Sequence, residues 1–187
     1  MAESNKKPGI SFGEYPKGAF AGFYNPILGI RDLSSKMSTT ASVVFAGACA
    51  LILSILSVIM RAFNAREYLD DVIFSIVIDS FITYAFMTFG IAGLAWVVSR
   101  VQNTNSKFSE LLATVTMSII PGSLITSVWG TGLAFVPYFG SFCGTVGRAY
   151  IAILLFENLK DDRLTGRKQF FTAAIITALG IAVSYIL

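Results

Sequence analysis

Residues 41–60 read ASVVFAGACALILSILSVIM, twenty consecutive positions without a charged side chain. A hydrocarbon core of about 30 Å is crossed by about 20 apolar residues in a helix, so this run is long enough to span on its own. Four further stretches repeat the pattern: Val72 to Val98, Leu111 to Trp129 with Pro121 inside it, Pro137 to Phe156 with Arg148 inside it, and Phe170 to Leu187. The expected fold is an all-α integral membrane protein, a five-helix transmembrane bundle over residues 20–187, preceded by a polar cytoplasmic tail at 1–19.

Composition agrees. Of the 187 residues, 55% are hydrophobic and 13% charged, against about 25% charged in soluble domains. A soluble domain of this length would lack the polar residues to cover its surface. Some forty polar or mixed residues precede the first run, with no small-residue cleavage site, so the first span reads as a retained anchor.

Basic residues set the orientation. Eleven of the fourteen fall before the first span (Lys6, Lys7, Lys17, Arg31, Lys36), between the second and third (Arg100, Lys107) or between the fourth and fifth (Lys160, Arg163, Arg167, Lys168). With five spans these segments share one side. The other side holds Arg61 and Arg66, offset by Glu67, Asp70 and Asp71. The expected topology has the N-terminus inside and the C-terminus outside. Merging the third and fourth runs into one hairpin would put the last basic loop outside, against this bias.

Ahead of the first span, Asn25-Pro26 has the form of a helix start. Ile27, Ile30, Leu33 and Met37 then recur at helical spacing, predicting a short amphipathic helix in the cytoplasmic interface. It reads either as an elbow anchoring the first span or as a docking surface. Small residues, which let membrane helices approach closely, recur in several spans. They include Gly90 in the second, Gly140 and Gly144 in the fourth, and Gly180 in the fifth. Pro121 is expected to kink or break the third span.

Asp79 and Arg148 stand out. An ionised group in hydrocarbon costs on the order of 3 kcal/mol. At about 1.5 Å per residue, Asp79 lies roughly 10 Å from the outer end of its span and Arg148 roughly 16 Å. Two readings stay open. They pair across the second and fourth spans, with Gly140 and Gly144 bringing those helices together, or each snorkels separately to water.

The chemistry of most enzymes is missing. There is no His, and Cys49 and Cys143 both sit in apolar runs. Gly130-Thr131-Gly132 is followed by apolar residues rather than by a phosphate-binding Lys. The chain is therefore expected not to be an enzyme and to need no cofactor or metal. The net charge of +3 is explained by topology, so nucleic acid is not an expected partner. Membrane lipids are, as are a second copy or another membrane protein.

Several motifs resemble the Yip domain family, the Ypt/Rab-interacting-protein membrane domain. They are Asn25-Pro26-Ile27-Leu28 with Ile30-Arg31-Asp32-Leu33, Leu111-Leu112-Ala113 followed by Ser118-Ile119-Ile120-Pro121, and Tyr150 to Leu155 with Asn158-Leu159-Lys160. The resemblance covers about residues 20 to 187. The Asp-Leu-Tyr-Gly-Pro run of eukaryotic members is absent, so the resemblance implies a prokaryotic-type member in a prokaryotic cytoplasmic membrane, with no catalytic residues to carry over. Two functions follow as expectations: a non-catalytic membrane scaffold or membrane-organising protein, or a small transporter, channel or lipid-handling protein using Asp79 and Arg148.

Overall fold

The computed structural model describes residues 25–64, 73–102, 104, 106–160 and 174–178. Among them the chain is helical throughout, without strands. Helix α1 is Leu28–Lys36, α2 Thr39–Asn64, α3 Ile73–Val101 and α4 Phe108–Leu124. α4 runs on as a π-helix over Ile125–Thr131, and α5 is Phe139–Leu159. Residues 174–178 are helical, and the rest of the fifth apolar stretch lies outside the described residues, as does Gly180.

Four helices, α2 to α5 with the π-segment counted into α4, are long and apolar enough to cross a membrane. The shortest has 21 residues, about 32 Å at 1.5 Å per residue. Their outer surface is apolar. Val44, Leu51, Ile52, Ile55 and Ile59 of α2 and Ile78, Ile82 and Phe86 of α3 are exposed. Such a surface is unfavourable in water and suits lipid.

α4 is the centre of the bundle. Of its apolar window 72% is buried, against 28–33% in the other three, and α1, α2, α3 and α5 all pack on it. This helix is rich in hydroxyls, and they are satisfied from within. Thr114 donates to the Glu110 carbonyl (2.8 Å), Thr116 to that of Leu112 (2.7 Å) and Ser118 to that of Thr114 (2.8 Å). A buried hydroxyl so bonded avoids the cost of an orphan donor, leaving Leu111, Leu112, Val115 and Ile119 free to pack.

The neighbours reach α4 by small-residue faces. On α2, Ser42, Ala46, Ala50 and Ser54 are buried at four-residue spacing. On α5 the buried line is Cys143, Gly147, Ile151, Leu155 and Leu159. α4 and α5 run antiparallel, joined by a short turn at 132–138 that ends on Tyr138, whose backbone is left-handed (φ 64°). Ile176 joins the same core.

The short helix α1 lies against α4. Ile30, Leu33 and Met37 are buried against Ala113 and Met117 of α4, while Ile27 is half-buried. Its backbone turn begins at Asn25, whose carbonyl accepts from Gly29 N–H at 2.9 Å. The seat is locked from α5. Asn158, fully buried, donates to the Leu154 carbonyl (2.9 Å) and, at 3.4 Å, to the Pro26 carbonyl and the Ser118 hydroxyl. Arg31 reaches the Glu157 carbonyl at 3.4 Å.

Candidate functional site

The site lies where α3 leaves the bundle. Described residues 73–86 of α3 include no buried position, and burial begins at Met87. Up to that point α3 keeps Ile78, Ile82 and Phe86 outward, while Asp79, Thr83 and Met87, each one residue on, line a cavity. The cavity has a volume of about 380 Å³. α2 contributes Ser57 and Arg61, α3 Asp79, Thr83 and Tyr84, α4 Ser123 and Thr126, and α5 Arg148 and Ile151.

Asp79 and Arg148 thus line one cavity from different helices. Asp79 and Arg61 are exposed and Arg148 is half-buried. A second cavity, of about 510 Å³, lies beside the first and shares Thr126 and Arg148 with it. Its other described lining residues include the hydroxyls of Thr131, Ser141 and Thr145, the glycines Gly130 and Gly140, and the apolar Ala134 and Val136, with no carboxylate among them.

A triangle of hydroxyls ties three helices together next to the first cavity. Tyr84 Oη and Ser127 Oγ are 2.9 Å apart, Ser57 and Ser127 Oγ 3.1 Å, and Ser57 Oγ and Tyr84 Oη 3.3 Å. Each hydroxyl carries one donor and accepts as well, so three suffice to close the ring. Ser127 sits in the π-helical segment. Thr126 donates its hydroxyl to the Gly122 carbonyl at 3.0 Å, a back-bond of the kind that bends helices, at the place where the register widens. The sequence reading did not single out Ser57, Tyr84 or Ser127. Three hydroxyls on three different spans have no common spacing to betray them.

The glycines differ from expectation in register. The fourth span packs on the third, and the tightest approach is at Gly122 and Gly147. A Cβ on Gly147 would lie 2.6 Å from the Gly122 carbonyl oxygen and run into the Thr126 hydroxyl. Gly140 is close to the third span's end, its Cβ position 2.8 Å from the Gly130 carbonyl oxygen. Gly144 and Gly90 have nothing within 4 Å of that position. The physical reason is a one-residue rotation. The buried line of α5 passes through Gly147 and Ile151, which places Gly144 and Arg148 at its edge, on the cavity walls. Pro121 also departs from the expected break. It is buried inside a continuous α4, and the register changes only from Ile125. A proline removes one backbone donor, and a helix packed on all sides tolerates that loss.

No protein-family model matches this chain, and neither a curated protein nor a solved structure is similar enough to match it. The functional reading therefore stands on the cavity and its residues.

Proposed function

We propose that this is a non-catalytic integral membrane protein that holds a small polar ligand in the cavity among α2, α3, α4 and α5. One observation carries the reading. A bundle with an apolar outer surface keeps a polar cavity of about 380 Å³ furnished with Asp79, Arg148 and Arg61. Charged groups at membrane depth are costly and concentrate along ligand and ion paths. In the topology expected from the basic residues, with five spans and the N-terminus inside, the cavity opens toward the outside. In this reading Asp79 and Arg148 act as a pair, each compensating the other when no ligand is present.

Solvent access tests the reading. In a chain with Cys49 and Cys143 replaced by Ala, Thr83→Cys in sealed vesicles should react with a membrane-impermeant thiol reagent from the outer side. A thiol that stays unlabelled in a folded protein would refute it.

The scaffold reading, with its resemblance to prokaryotic Yip-domain proteins, is supported by α1. A partner of α1 would have to use its outward side, where Leu28 is 63% exposed, because Ile30, Leu33 and Met37 are occupied by α4. Polar substitution at Leu28 should then release a partner without disturbing the bundle.

A further inference from the structure

We infer that the ligand of this cavity is a compact zwitterion, an ammonium joined to an anionic oxygen group, with the anion toward Arg148 and the ammonium toward Asp79. The inference rests on the reading that the cavity is a ligand site. Three features lead to it.

The first is the sign of the walls. Asp79 comes from α3 and Arg148 from α5, so one cavity offers a separate acceptor and donor of opposite charge. A lone cation would meet two guanidiniums, Arg61 and Arg148, for one carboxylate. A lone anion would balance the charge of the two guanidiniums but would lie beside the Asp79 carboxylate with nothing to offer it. A zwitterion satisfies both. The second is the asymmetry around Arg148. On its other side lies the second cavity, whose described lining is rich in hydroxyls and includes no carboxylate, so the anionic end has room beside Arg148 away from Asp79. A guanidinium has five donors in a fork suited to carboxylate and phosphate oxygens, enough to hold a ligand oxygen together with a protein partner. The third is capacity. Volumes of about 380 and 510 Å³ fall in the range of small-molecule sites and accept a free amino acid or an ethanolamine phosphate headgroup.

The labelled Thr83→Cys protein provides the test. Phosphoethanolamine, glycine, glycerol phosphate and ethanolamine are each added at millimolar concentration, and the rate of labelling is followed. Phosphoethanolamine or glycine should slow labelling at least fivefold, while glycerol phosphate and ethanolamine leave it within twofold. Asp79→Asn should erase the preference of phosphoethanolamine over glycerol phosphate. Arg148→Gln should abolish protection by both, with the melting profile of each variant checked against the parent. Vesicles of phosphatidylethanolamine and of phosphatidylglycerol separate the two sources. Protection in the former alone, without added solute, assigns a lipid headgroup; protection only by dissolved zwitterions assigns a free solute. A labelled thiol that no zwitterion protects, or that the pure anion protects equally, overturns the inference and leaves the cavity reading standing. A thiol that never labels removes both.

Discussion

Gly147→Ala adds one methyl group where α5 crosses α4. The added carbon would lie 2.6 Å from the Gly122 carbonyl oxygen and 3.1 Å from the Thr126 backbone nitrogen, and would overlap the Thr126 hydroxyl. Two of these three atoms are backbone, so no rotamer change relieves them, and the helices must part. Normal contact begins at about 3.4–4 Å, which requires a separation on the order of 1 Å along the crossing. Overpacking of this kind costs about 1–3 kcal/mol, or roughly 2–12 °C in melting temperature for a chain of this size. Gly144→Ala is the control, three residues away on the same helix with the same change in propensity and nothing within 4 Å. Thermal unfolding of both variants in one detergent, followed by tryptophan emission, reads the difference. Gly147→Ala should melt lower than Gly144→Ala by several degrees. Equal melting temperatures, or the reverse order, would refute the crossing described here.

Four other outcomes are expected. Tyr84→Phe should cost about 0.5–1.5 kcal/mol, and combined with Ser127→Ala less than the sum, with a coupling of at least about 0.5 kcal/mol in a double-mutant cycle; strict additivity would count against the hydroxyl triangle. Asn158→Ala should cost about 1–3 kcal/mol and speed amide exchange at Gly29 and Arg31, because the hold on Pro26 is lost. Tyr138→Gly, at an exposed left-handed position, should leave the unfolding free energy unchanged or raise it by up to about 1 kcal/mol; a lower one argues that the tyrosine ring itself is needed. Asp79→Arg and Arg148→Asp should each reduce folded yield, and the double exchange should recover it if the two side chains act as a pair.

Much of this arrangement is legible before any coordinates. The long apolar runs mark α2 to α5 because hydrocarbon demands length and apolarity before anything else. Ile30, Leu33 and Met37 mark the buried side of α1 because a helix repeats every 3.6 residues. Opposite charges at Asp79 and Arg148 flag a site because charge in hydrocarbon is costly. Less legible is which helix faces which. Gly140 and Gly144 have the four-residue spacing of a packing motif, yet the crossing uses Gly147, since spacing names a face only to within one residue and never names the neighbour. The central place of α4 also escaped. Its Thr and Ser side chains are suited to the middle because they bond to the preceding turn, a bond that composition does not announce. The fifth stretch carries the same composition as the others, and its described part, 174–178, contributes Ile176 to the core.

The hub position of α4 has a consequence for biosynthesis. Ribosomes deliver α1, α2 and α3 before their shared partner exists, and α5 after it. Until α4 arrives, α2 and α3 have only each other to pack on and their faces toward α4 stay open, so the nascent chain is most vulnerable to quality control in that interval. A stop placed just beyond Thr131 should therefore yield a longer-lived fragment than one placed just before Phe108, which pulse-chase in intact cells can resolve.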